Sequence, residues 1–128
     1  MLNRDLIKLG DLLWTNPNQD TSFSNGTVNL SDISNYDLIE VFCKNYASSS
    51  YLNVTSVRIP KGYNGYLNFI EIDGAVLNRK VSINWNNGKV TFDDAKFKAA
   101  TSTAVATVDN NRCIPIYIVG YKTNIIFN

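Results

Sequence analysis

Turn-forming residues recur along this chain too closely for helices of ordinary length to fit between them. Gly, Asn and Asp separate short runs rich in Val, Ile, Thr and aromatic residues, among them "TVNL", "LIEVFC", "TSVRI", "YLNFIEI" and "VSINW". Runs of that composition, bounded in that way, read as strands. Apolar side chains keep a helical period over no segment longer than about ten residues. "NRDLIKLGDLL", residues 3–13, comes nearest, and Gly10 interrupts it. The expectation is an all-β chain: a single antiparallel β-sandwich, jelly-roll-like, of about seven to nine short strands, forming one domain over residues 1–128.

Two hairpins can be written in register. In "VSINWNNGKVTF", Asn87-Gly88 as a two-residue turn pairs Asn86 with Lys89, Trp85 with Val90 and Ile83 with Phe92. In "VRIPKGYNGYLNFIEID", Asn64-Gly65 as the turn pairs Tyr63 with Tyr66, Ile59 with Ile70 and Val57 with Ile72. In both, the apolar partners fall on one face, as a half-buried pair joined by a tight turn requires. Further strands are expected at Thr27–Leu30, Asp37–Cys43 and Ala104–Val108. The run "CIPIYIVGYK" is apolar on both faces, which predicts cover on both sides. Pro115 within it cannot donate to a ladder and predicts an edge or a bulge.

Composition removes several classes of function. Net charge is +1, from 12 basic and 11 acidic residues with no basic cluster, so no nucleic-acid partner is expected. No apolar run approaches the roughly 18 residues of a membrane-spanning helix, so no membrane insertion is expected. "MLNRDLIKLGDLLW" carries Asp5, Gly10 and Asp11 where a signal peptide needs a continuous apolar core, which predicts a soluble product made in a cytoplasm. Cys43 and Cys113 lie in strand-like runs and are expected as buried free thiols, although they allow one disulfide. Without histidine or a C-x-x-C pair, no metal site and no cofactor are expected.

The absence of histidine also excludes Ser-His-Asp and Cys-His triads. Glycoside hydrolysis needs only two carboxylates. Glu71 and Asp73 share a strand face opposite Ile70 and Ile72, a face expected to be solvated, and Asp93 and Asp94 are adjacent and would point to opposite sides of a strand. No catalytic residues are therefore expected. Sugar binding without catalysis is better served, because an exposed ring stacks on the apolar face of a sugar while amides bond its hydroxyls. "GYNGY" supplies Tyr63, Asn64 and Tyr66 as candidate glycan contacts. The competing roles are a cross-strand Tyr63–Tyr66 pair, and a core position for Trp85 beside Ile83.

"GDLLWTNPNQDTSF" followed by "TVNLSDISNYDLIEV" resembles the opening of small virion structural proteins of tailed bacteriophages and prophages. The likeness continues in "NGKVTFDDA" and in "DNNRCIPIYIVGYK", and spans about residues 10–122. It implies a non-enzymatic tail, fibre or head-appendage component located in the virion and made in the cytoplasm of a bacterial host. It implies Trp14 as a core anchor on the first strand and residues 16–26 as the connecting loop. Such components are usually homotrimers, so the expected partners are copies of the chain and other virion proteins, with a host surface glycan as the alternative. The surplus apolar residues of the ends, Leu2, Leu6, Ile7, Leu9, Ile125, Ile126 and Phe127, are the candidate subunit contacts, with residues 1–10 and 123–128 as contact arms.

Overall fold

The computed structural model describes residues 10–49, 51–101, 103 and 105–122. The candidate subunit contacts Leu2, Leu6, Ile7, Leu9, Ile125, Ile126 and Phe127 lie outside the described residues. Ten strands are described: β1 (Asp11–Thr15), β2 (Gly26–Asn29), β3 (Leu38–Tyr46), β4 (Val54–Pro60), β5 (Gly65–Ile70), β6 (Val76–Asn84), β7 (Lys89–Phe92), β8 (Lys96–Lys98), β9 (Thr107–Val108) and β10 (Arg112–Tyr121). The count exceeds the expected seven to nine because Lys96–Lys98, expected within a loop, forms β8. One 3-10 turn, Ile33–Asn35, is the only helical element among the described residues.

The strands form two antiparallel sheets packed face to face. The first has the order β1-β10-β3-β4, and the second joins β2, β7, β6, β8 and β9, with β5 on the other edge of β6. The chain crosses between sheets after β1, β2, β4 and β9, and the first and last strands are neighbours, giving the all-β antiparallel sandwich expected. Between the sheets lie Ile39, Val41, Ile59, Leu67, Leu77, Val81, Val90, Phe92 and Ile118, all essentially buried. Each such side chain contributes roughly 1.5–3 kcal/mol on removal from water. Both cysteines are free and buried. The adjoining Cys113 thiol and then burial push the Cys43 thiol far above its usual range.

The segment between the first two strands has a structural job. Trp14 packs on Phe92 and Phe23, with ring centroids 6.0 and 6.4 Å away. Asn16 is buried and stitches the following loop onto β10, its backbone N–H donating to the Ile116 carbonyl (2.9 Å) and its Nδ2 to the Pro115 carbonyl (2.8 Å). Pro115 sits where the register with β3 shifts, so the expected bulge is present, in a central strand and not at an edge.

Both proposed hairpin registers are corrected. β6 and β7 do form a hairpin, but Asn84 pairs with Lys89, Ile83 with Val90 and Val81 with Phe92. The loop is four residues, Trp85–Gly88, because the Asn84 side chain accepts from the N–H groups of Asn86 and Asn87 while its carbonyl takes the Gly88 N–H. Trp85 is half-buried in that loop, not opposite Val90. The second hairpin is absent: β4 pairs with β3 in one sheet, and β5 pairs with β6 in the other. Ile59 faces Ile39 and Val57 faces Val41, while Ile70 and Ile72 are exposed, and Tyr63 and Tyr66 form no cross-strand pair. The chain turns this corner at Gly65, where a Cβ would stand 2.8 Å from the Ile59 side chain. Of the strand expected over Ala104–Val108, only Thr107–Val108 is described as strand.

Candidate functional site

Arg79 organises the region where the second sheet opens. It projects inward from β6 and is fully buried. Its Nε donates to the Cys113 carbonyl (2.9 Å), Nη1 to that of Asp93 (2.7 Å), and Nη2 to those of Phe23 (2.8 Å) and Arg112 (3.1 Å). The guanidinium also lies 5.2 Å from the Phe23 ring centre. Burial pulls its pKa down to about 10, so it stays cationic at neutral pH. Cys113, one of its carbonyl partners, is held in the left-handed region at φ +48°, a conformation that non-glycine residues adopt only when their surroundings enforce it.

The Asp93 carbonyl belongs to a bulge. β7 and β8 follow one another along the same edge of β6, with Val81 opposite Phe92 and Asn78 opposite Lys96. Asp93, Asp94 and Ala95 therefore stand opposite only Arg79 and Lys80. Besides Arg79, the extra residue is held by the Lys80 carbonyl, which accepts from Asp93 N–H (3.0 Å), and by Asn110. The Asn110 Oδ1 takes the Ala95 N–H (2.9 Å), and its Nδ2 donates to Asp94 Oδ1 (2.9 Å). That same oxygen accepts from the backbone and side-chain amides of Asn25 at 3.1 and 3.2 Å. The Asn110 and Asn25 donors hold the Asp94 carboxyl below the usual range.

Bulges re-aim side chains and interrupt pairing. Here β2 continues the sheet from β7, and β9 continues it from β8, so the outer strands part at the bulge. A cleft of about 400 Å³ opens between them, lined by Asn25, Thr27, Thr91, Asp93, Lys96 and Val108 among others. A second depression of about 270 Å³ adjoins it on the outer face of β5 and β6, lined by Tyr66, Asn78, Lys80, Asp93, Asp94 and Lys96. The three shared residues, Asp93, Asp94 and Lys96, join the two into one groove.

Of the three candidate glycan contacts, Tyr66 lines this groove and is 50% exposed. Tyr63 and Asn64 do not line it: the Tyr63 carbonyl receives the Trp85 indole N–H (3.2 Å), and Asn64 Oδ1 receives the Ile83 N–H (2.8 Å) at the β4–β5 corner. Glu71 and Asp73 serve the framework. Glu71 pairs with Arg112 at 3.0 Å, and Asp73 accepts the Ala75 N–H in the turn before β6. Asp93 and Asp94, expected on opposite faces of a strand, instead line the same groove because they occupy a bulge. The groove residues that sequence reasoning missed come from separate segments. The only local signals were the polar alternation Asn78-Lys80-Ser82 and the acidic pair placed between two strand runs.

The groove offers carboxylate, ammonium, amide and hydroxyl groups beside one exposed ring. It does not offer a raised-pKa carboxyl as general acid at Asp94, whose Oδ1 is already bonded to three N–H groups. Among the described residues, no group of three or more Cys, Asp or Glu side chains is arranged to hold a metal. No described helix is long and apolar enough to cross a membrane. No protein-family model, curated protein or solved structure matches the chain.

Proposed function

We propose that this chain is a non-enzymatic structural protein of a tailed-bacteriophage particle, a tail, fibre or head-appendage component that acts in assembly or host attachment. The observation that carries the proposal is how its polar groups are used. The buried Arg79, Asn16 and Lys44 all bond to the chain's own carbonyls or side chains and so tie the sandwich together, in place of facing a ligand. Such a body is suited to packing and surface contact. The likeness of "LLWTNPNQDTSF" and "NNRCIPIYIVGYK" to virion proteins supports the same reading. The partners would be two further copies of the chain and neighbouring particle proteins.

Mass spectrometry of gradient-purified particles from a culture that produces the chain tests the proposal. The chain is expected in a fixed ratio to the major capsid protein. Abundance in the soluble lysate together with absence from particles would overturn it. A second reading, recognition of a host surface glycan, is favoured by one observation: Tyr66 stands exposed in a groove lined mostly by hydrogen-bonding side chains.

A further inference from the structure

We infer that the groove on the outer face of the second sheet binds a neutral saccharide chain, held between Tyr66 at one end and Val108 at the other. The inference rests on the host-glycan reading and specifies its site and ligand class. It stands apart from the question of where in a particle the protein resides.

Charge selects the ligand class. The groove contains two carboxylates, Asp93 and Asp94, and two ammonium groups, Lys80 and Lys96. None of the four forms an ion pair with another described residue, and the Asp93 carboxylate accepts no hydrogen bond from one. A polyanion would meet both carboxylates at close range, and a polycation both ammonium groups. A sugar hydroxyl both donates and accepts, so vicinal hydroxyls can satisfy acids and amines in alternation. Asn78, Thr27 and Thr91 add groups of the same dual character.

Shape and apolar content select a chain over a single ring. The path from Tyr66 on β5 to Val108 on β9 crosses β6 and β8, three interstrand steps or ~14 Å. Tyr66 and Val108 are 50% and 58% exposed, leaving a ring and an aliphatic group for the apolar faces of sugars. The groove is rigid where it matters, since Asp94 is clamped by Asn25 and Asn110 and the bulge by Arg79. An open groove of this kind binds a free chain weakly and holds a surface by repetition.

The test is two-dimensional amide NMR of the labelled full chain, titrated with neutral gluco-, galacto- and manno-oligosaccharides. Matched chains containing uronate or glucosamine are run alongside. At least one neutral chain is expected to shift the amides around Tyr66, Lys80, Asp93 and Lys96, with affinity reduced about tenfold in Tyr66→Ala and in Asp93→Ala. Both side chains are exposed, and an unchanged melting temperature verifies that the variants fold. Binding confined to uronate or glucosamine chains overturns the neutral ligand class while the glycan reading survives. Shifts centred on Tyr63 and Asn64 overturn the groove, again leaving that reading in place. No shift with any chain up to ~10 mM, beyond the ordinary ligand range, overturns both.

Discussion

Arg79 is buried with its charge facing carbonyl dipoles and no contacting carboxylate. Its four partner carbonyls come from Phe23, Asp93, Arg112 and Cys113, three separate parts of the chain. Replacing it by Met keeps much of the volume but removes the donor from one buried and three partly buried hydrogen bonds, so Arg79→Met is expected to lose about 3–5 kcal/mol of stability. Arg79→Lys should recover little of this, because one flexible ammonium cannot reproduce a planar fork directed at three segments. Urea unfolding of both variants checks it, and a loss below about 1 kcal/mol in either would show that the network is incidental. Glu40 makes a different, pH-dependent contribution. Burial raises its pKa, but hydrogen bonds from Ser56 and Tyr121 and the nearby Arg58 bring the net value below the ordinary 4.5. A depressed folded pKa means stability that is present above about 4.5 and lost as pH falls through the folded value. The stability gap between wild type and Glu40→Gln should therefore narrow as pH drops below that range. Parallel curves from pH 6 down to roughly 3 would sink the assignment.

At the level of elements, the hairpin between β6 and β7 depends on Gly88. Its φ is +78°, and a Cβ there would stand 2.0 Å from the Leu30 carbonyl oxygen, while its own carbonyl accepts the Leu30 N–H at 2.7 Å. Gly88→Ala is expected to cost at least about 2 kcal/mol, since the left-handed penalty and the collision add. A shift in thermal midpoint no larger than that of Gly62→Ala, at a positive-φ glycine with open space around its Cβ position, would argue against the collision. The same hairpin shows why alternation identified strands more reliably than partners. Moving Ile83 from Phe92 to Val90 is a two-residue slip, which leaves every side chain on its original face. The deciding contacts, from the Asn84 side chain and carbonyl, are invisible to a hydrophobic pattern. Between β4 and β5, the apolar matches of Ile59 with Ile70 and Val57 with Ile72 were coincidental. Sheet membership was settled by β3, whose Ile39 and Val41 supply the buried partners. The groove was least legible, because a single extra residue at Asp93–Ala95, held by distant Arg79 and Asn110, turns two framework-like aspartates toward one surface.

For the whole molecule, the two sheets divide the proposed tasks. The groove lies on the outer face of the second sheet, whereas Asp11 of β1 pairs with Gly120 of β10 in the first. β1 and β10, which in sequence directly follow and precede the proposed contact arms, residues 1–10 and 123–128, are neighbours in the sheet that does not carry the groove. If the arms join copies, the intact protein in solution should have three times the 14.3 kDa chain mass by light scattering. Deleting residues 124–128 should shift it toward the single-chain mass. The truncated form should keep the affinity of the intact protein for a free oligosaccharide, because it retains every described residue that lines the groove, from Asn25 to Val108. On a glycan-coated surface the two forms should separate, because linking three weak sites raises retention by roughly 10²–10⁴-fold without any new contact. A truncated protein that stays trimeric would remove residues 124–128 from the interface. A trimer retained no longer than the monomer would mean that its three grooves cannot face one surface together, which would favour assembly over attachment as the molecule's task.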